Sequence, residues 1–389
     1  MDVEISDYQK KVDMTAPPVF GKLRENHFKF LGSNLKFPNY RYSSFVNLSL
    51  PNFEIKDIKN PNELSSGVSI NSHNSIKIEN DFSEELLNKY LSEKDVLSEQ
   101  AIDHFHYAFT NSIKIISIPD NYSDSSPIQI NLDSEEDDVL SSIFIFTGAN
   151  SSSRIMLHQK SESDFFSSRV KVIAGENSSI ELIQADIVGE NTVYFGKTES
   201  ITKNSATVKL TSFSFGGKYI KSDIISYLKG EGSSSKITML YLTKDAEKQN
   251  INAESRHIGK ATSSDILTKG AIGGKSKALS TGNIYIGQDA FSSNGYETQN
   301  ALLLSTTAEA DAIPNLEIHN HDVKCSHGST IGQVDKDSIF YLMSRGISKK
   351  SALGLIVKGF FSSVLEEIND EELVKNLNNS IDNSIQKLK

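Results

Sequence analysis

The spacing of apolar positions changes period twice along the chain, and each change marks a change of element. Up to about residue 110 the pattern is helical within polar loop sequence. Ser83 is placed to cap a helix whose stripe is Leu86, Leu87, Tyr90 and Leu91, and a second helix runs through Val96, Leu97, Ile102, Phe105 and Phe109. The run Asp133 to Asp138 reads as a solvated acidic loop. From about residue 140 apolar residues alternate with period two, as in Ile180/Leu182, Val208/Leu210 and Ile237/Met239/Tyr241, which sets alternate side chains on opposite faces of strands. After Asp335 the helical period returns. Asp335 or Asp337 caps a helix carrying Ile339, Phe340, Leu342 and Met343, which Gly346 ends. Ser348 starts the next, with Leu353, Ile356, Val357, Phe360, Phe361, Val364, Leu365 and Ile368 apolar. A last helix follows Asp370, with Leu373, Leu377, Ile381, Ile385 and Leu388 on one stripe. These helices either pack on the β-region or present a docking face to another protein.

Glycine turns separate the strands, and their spacing is regular. Gly148, Gly189 and Gly230 recur every 41 residues, and Gly175 and Gly216 are separated by the same interval. A fixed period in β-rich sequence marks stacked supersecondary units that share one core. Forty-one residues correspond to about two coils of a β-helix. Hairpin turns of a β-sandwich are the other reading, whereas a propeller would carry Trp-Asp marks and this chain has no tryptophan. The expected organisation is an N-terminal helical and loop region over 1–115, a β-region over 116–334 and a C-terminal helical domain over 335–389.

Composition narrows the class. With 389 residues and 37% hydrophobic side chains the chain can bury a core, which excludes disordered and collagen-like proteins. A formal charge of -10 disfavours a sequence-independent grip on nucleic acid. The single cysteine cannot form an internal disulfide, the start MDVEISDYQKK is too acidic for a signal peptide, and the apolar runs are far shorter than the ~20 residues of a membrane span. The expectation is a soluble, cytoplasmic protein.

One stretch concentrates metal-binding chemistry. Glu317 to Gly328 holds His319, His321, Cys325 and His327, three of the nine histidines and the only cysteine. In an extended segment these four share a face, where imidazole and thiolate suit iron or zinc. One ion cannot take ligands from the whole of Glu317–Gly328, whose extended span at ~3.3 Å per residue is on the order of 26–36 Å. Cys325 and His327 can supply two ligands and a second chain the others. Val323 falls on the ligand face while Leu316 and Ile318 make the opposite face the buried one, so a bend near Asp322 is expected. Phosphate-binding loops are excluded: Lys269 stands where the first glycine of a Walker motif ending Gly274-Lys275-Ser276 belongs, and Ala261 follows Gly259-Lys260. No nucleotide is expected to bind directly. A β-helix enzyme acting on carbohydrate is the alternative, and would need Glu254, Arg256, His257 and Asp265 to converge in an open groove.

Six stretches between Asn252 and Gly346 match a known pattern in order: Arg256-His-Ile-Gly-Lys-Ala-Thr-Ser-Ser-Asp265, Thr268-Lys-Gly-Ala, Gln299-Asn-Ala-Leu-Leu-Leu-Ser305, Ala308-Glu-Ala-Asp-Ala-Ile-Pro-Asn-Leu-Glu-Ile318, Asp322-Val-Lys-Cys-Ser-His-Gly328 and Phe340-Tyr-Leu-Met-Ser-Arg-Gly346. They resemble the SufB/SufD family, the scaffold subunits of the SUF iron-sulfur cluster assembly system. Phe37-Pro-Asn-Tyr-Arg-Tyr-Ser is similar to that family's N-terminal segment without its tryptophan. The resemblance implies a mainly β fold, a right-handed parallel β-helix flanked by N-terminal and C-terminal α-helical regions. It is closest to the SufD branch and implies a non-enzymatic scaffold that pairs with a SufB-type paralogue or with itself. Cys325 and His327 would lie at that interface, where iron or a nascent iron-sulfur cluster binds transiently. His319 and His321 depart from the family pattern and are candidate additional ligands. Leu353, Ile356, Val357, Phe360, Phe361 and Val364 would dock a SufC-type ABC ATPase, on which the nucleotide chemistry resides. The β-region cysteines with which SufB-type members accept sulfur have no counterpart here, so the chain is not expected to receive persulfide.

Overall fold

The computed structural model describes residues 101–388 apart from 125, 136 and 137, and before them residues 2–4, 34–36 and short pieces between 67 and 90. The positions Leu87, Leu91, Val96 and Leu97 and the segment 37–43 lie outside the described residues. The first two strands, β1 (Asp2–Glu4) and β2 (Asn34–Lys36), form a small antiparallel pair of their own.

The chain otherwise winds into two nine-stranded sheets. In spatial order the first sheet contains β3 (Gly67–Asn71), β6 (Ile128–Ser134), β8 (Ser152–Ser161), β10 (Ser179–Val188), β12 (Thr207–Gly216), β14 (Ser234–Thr243), β16 (Ser263–Ile272), β18 (Ser293–Leu303) and β20 (Val323–Gln333). The second contains β4 (Lys77–Glu79), β5 (Ser112–Ile118), β7 (Val139–Thr147), β9 (Phe165–Ala174), β11 (Val193–Thr202), β13 (Tyr219–Leu228), β15 (Lys248–His257), β17 (Lys277–Ile286) and β19 (Glu309–Ile318). From β5 and β6 onward every neighbour within a sheet is parallel, so successive strands alternate between sheets and each pair of strands is one coil of a solenoid. Hairpins of a sandwich would pair antiparallel, and that alternative is excluded.

The coil is shorter than the glycine spacing implied. Register partners lie 28 residues apart at Ser179↔Thr207, with extremes of 26 at Val193↔Tyr219 and 32 at Lys277↔Glu309. The 41-residue interval is therefore about one and a half coils, not two. Gly148 turns the chain from the second sheet to the first and Gly189 turns it back, so the interval steps between opposite edges of a flat rod. The true repeat joins Gly148 to Gly175, and a Cβ on Gly175 would lie 2.7 Å from the Gly148 backbone. At Gly175 the backbone of the coil below leaves no room for a Cβ. On the same edge Asn121, Asn150, Asn177, Ser205, Ala261 and Ser292 hold positive φ, and Asn177 Nδ2 donates to Asn150 Oδ1 at 3.2 Å. Asparagine tolerates the left-handed region and extends the corner as a ladder.

Inside the rod, alternate residues from both sheets form one aliphatic core: Ile143, Val170, Ile180, Leu182, Leu210, Ile224, Ile237, Ile266 and Ile284 are all buried. The outer faces are covered from two sides. Helix α1 (Ala101–Phe109) covers the second sheet, where Tyr107 and Tyr90 pack with Phe144, Phe146 and Ile173. Beneath α1, Asp103 meets Arg169 Nε at 2.8 Å and Lys197 Nζ at 3.1 Å, and Lys171 meets Glu199 at 2.6 Å, all buried. Helices α2 (Lys336–Ser344), α3 (Lys349–Leu365) and α4 (Glu371–Lys387) begin at the expected caps Asp335, Ser348 and Asp370. Leu373, Leu377, Ile381 and Ile385 of α4 pack with Phe213, Phe215, Leu240 and Leu242 of the first sheet. Among the described residues no helix is long and apolar enough to cross a membrane.

Two early readings need correction. Strands begin well before residue 140: Ser112–Ile118 is already a strand, and in Ile128–Ser134 buried positions alternate with half-buried or exposed ones. The acidic run Asp133 to Asp138 is not simply a solvated loop: Asp133 lies within β6, and Asp138 is buried, with its Oδ1 accepting from the Phe165 N–H at 3.1 Å.

Candidate functional site

The two ends of the rod differ. At the start, β3 and β4 run antiparallel to β6 and β5 and cap the first coil. At the other end, among the described residues β20 pairs only with β18 and β19 only with β17, so within them both terminal strands leave one edge of backbone N–H and C=O groups open. Exposed apolar side chains gather on the last coils: Phe291, Tyr296, Ile318 and Ile331.

Cys325 and His327 lie on β20. Parity from Val323, which packs against the rod core, turns both toward the rod interior, and because no further coil follows among the described residues, His327 is exposed while Cys325 is half-buried against that core. As i and i+2 residues they sit about 6.6 Å apart along the strand. Burial pushes the Cys325 thiol up, opposed by a hydrogen bond with the Gly295 backbone, so within the single chain it is a thiol rather than an activated thiolate.

His319 and His321 do not share that face. The chain bends between β19 and β20, at the place expected near Asp322, and makes a corner rather than a straight strand. Asn320 pins the corner by donating to the Gln288 carbonyl at 2.7 Å, while its side-chain oxygen accepts from the Asp322 N–H at 2.8 Å. His319 is exposed beside Glu317 at 3.2 Å, and His321 is exposed on the turn. Among the described residues no group of three or more His, Cys, Asp or Glu side chains gathers as a metal-ligand set.

Beneath His327 the rod interior turns polar, which sequence reasoning missed. Glu297, the register partner of His327, is buried, and Gln299 Nε2 donates to its Oε1 at 2.5 Å. Burial pushes the Glu297 carboxyl up to about 7. Gly282 on the opposite sheet makes space for this carboxylate, since a Cβ there would lie 1.7 Å from Oε1. The signal lay in the alternation Gly295, Glu297, Gln299, Ala301, which puts a carboxylate in an inward column occupied below by Ile266, Ile237 and Leu210.

The residues of the carbohydrate alternative do not converge. Glu254 and Arg256 pair at 2.6 Å on the outside of β15, Asp265 is exposed on β16, and His257 is buried inside, 2.7 Å from Thr262 Oγ1 and 2.8 Å from Ser264 Oγ. Desolvation holds His257 down at about 4, so it is a neutral structural imidazole.

Of the six helical positions expected to dock an ATPase, Leu353, Val357, Phe361 and Val364 are buried against α4 and the first sheet. Ile356 and Phe360 are half-buried, and the exposed apolar side chains of the helical region are Phe340, Tyr341, Met343 and Leu355.

The protein is a parallel β-solenoid that carries Cys325 and His327 on its terminal strand and packs a helical region along one sheet. Residues 130–360 match the family described as "SUF system FeS cluster assembly, SufBD core domain", and the chain belongs to that family. It is 34% identical over 180 residues to the iron-sulfur cluster assembly protein SufD of Escherichia coli, covering 46% of this chain and 43% of that protein. It is 26% identical over 205 residues to an iron-sulfur cluster assembly SufBD family protein of Mycobacterium tuberculosis, covering 51% and 52%. A SufBD family protein of Porphyra purpurea is 30% identical over 141 residues, covering 36% and 29%. The chain thus spans about half or less of the length of these relatives.

Proposed function

We propose that this chain is a SufD-like, non-enzymatic subunit that takes part in iron-sulfur cluster assembly in the cytoplasm. Its open end pairs with a SufB-type chain or a second copy of itself, and Cys325 and His327 hold iron or a nascent cluster at the seam. The observation that carries this reading is the placement of both residues on β20, the terminal strand of the first sheet, whose outer edge has no partner strand among the described residues. An unpaired strand invites continuation by a partner's strand, which would bring the missing ligands. The cluster is cargo shared across the joint. A SufC-type ATPase binds the exposed side of α2 and α3 and supplies the nucleotide chemistry.

The test is His327→Ala in the co-expressed complex, purified anaerobically and reconstituted with iron and sulfide. His327 is exposed, so the variant folds. The absorption of the bound cluster is expected to vanish, and an unchanged cluster yield would remove His327 from the site.

A further inference from the structure

One coil beneath the open end, four buried side-chain oxygens have no partner: Glu297 Oε2, Gln299 Oε1, Thr268 Oγ1 and Ser280 Oγ. All four residues are at least 98% buried. They belong to one layer of the interior. Thr268 is the register partner of Gln299 across β16 and β18. Ser280 lies two residues before Gly282, the position against which the Glu297 carboxylate and the Gln299 amide rest, and so shares its inward face.

Unpartnered buried oxygens cost free energy, and native interiors leave few of them. A proton on Glu297 would quench its charge but supply a single donor, enough for one of the other three oxygens and not for all of them. A bridging group at their centre would meet all four together. The set is made of oxygens only, which selects a hard ion. It carries one negative charge among neutral oxygens, and in a low-dielectric interior a monovalent cation balances that charge where a divalent one leaves an excess.

We propose that this layer binds one alkali-metal cation through Glu297 Oε2, Gln299 Oε1, Thr268 Oγ1 and Ser280 Oγ, fastening the coil of β17 and β18 to the coil of β15 and β16 beneath it. The site lies one strand beneath Cys325 and His327, with Glu297 the register partner of His327, but its ligand set includes neither and does not depend on the cluster-assembly reading.

The test compares thermal unfolding of the full chain in sodium, potassium and choline chloride at equal ionic strength. Unfolding opens the layer, so slow entry of the ion does not limit the result. A cation that binds only the folded chain shifts the folding equilibrium by about a hundredfold at a concentration one hundred times its Kd. Wild type is expected to melt higher in sodium or potassium than in choline, and Glu297→Gln is expected to lose that difference while remaining folded. Equilibrium dialysis with radioactive sodium or rubidium should count one ion per wild-type chain and none in Glu297→Gln. Equal melting in all three salts with no ion retained would assign the layer to water or to a neutral acid and overturn the proposal, as would an equal shift in wild type and Glu297→Gln.

Discussion

His327 stands one strand above Glu297 in the parallel register of β20 and β18, an exposed imidazole over a buried carboxyl. Side chains that are register partners on one face lie about 4.8 Å apart at their backbones. The outermost coil is therefore a thin layer of chemistry laid over an acid, and the acid has a measurable signature.

Glu297 titrates at about 7 in the folded chain against 4.5 for an ordinary glutamate. The folded state keeps its proton to a higher pH than the unfolded chain does. The associated stability is complete below pH 4.5 and is lost as pH rises to about 7. The full shift corresponds to about 3 kcal/mol. In alkali-free choline buffer, wild type is expected to weaken relative to Glu297→Gln across that interval. Urea denaturation at pH 5 and pH 8 measures it, and an unchanged gap between the two proteins would show that Glu297 carries no shifted proton.

The ion cluster under α1 predicts a larger effect. Asp103 is the carboxylate between Arg169 and Lys197, at 2.8 and 3.1 Å, and all three side chains are buried. Asp103→Ala leaves buried cations short of a counter-charge, and about 3–5 kcal/mol of stability is expected to go with it. Hydrogen exchange should show the α1 amides and the outer strands β9 and β11 opening first. A loss below about 1 kcal/mol would mean the cations find other partners.

Much of this architecture was legible in the residues, and the failures have physical causes. The helix caps at Asp335, Ser348 and Asp370 were readable because capping is local: a side-chain oxygen meets an N–H two or three residues on. The coil length was not, because Lys203 occupies the corner where the series Gly148, Gly175, Gly230 would continue, and the eye then joins glycines from opposite edges. Cys325 and His327 were visible as a rare pair on one strand. The bend near Asp322 that parts His319 and His321 from Cys325 and His327 was legible in the apolar parity, but the contact that holds it was not, since Asn320 reaches the Gln288 carbonyl in the coil below. Glu297 went unnoticed because only the register shows that its side chain points into the core.

The state of Cys325 grades the two proposed ligands. Its thiol is half-buried and its pKa is raised, so metal must displace a reluctant proton, whereas His327 is exposed and ready to ligate. Cys325→Ser is expected to lower the cluster yield of the reconstituted complex several-fold without abolishing it, a milder loss than that of His327→Ala. Visible absorption after anaerobic reconstitution gives both yields, and a more severe defect in the serine variant would reverse the assignment.

The helical flank separates docking from packing by a pair of substitutions on α3. Phe361 is fully buried among Val357, Leu377 and the strands of the first sheet. A charge there has no partner, so Phe361→Asp is expected to cost about 4 kcal/mol or more and to unfold the flank. Leu355 is 49% exposed on the same helix, and Leu355→Asp is expected to leave the thermal midpoint within a degree or two of wild type. If α2 and α3 receive the ATPase, Leu355→Asp should still abolish its co-purification, because an aspartate buried at an interface is left without a counter-charge. Full capture of the ATPase by a folded Leu355→Asp chain would move the docking surface away from this face.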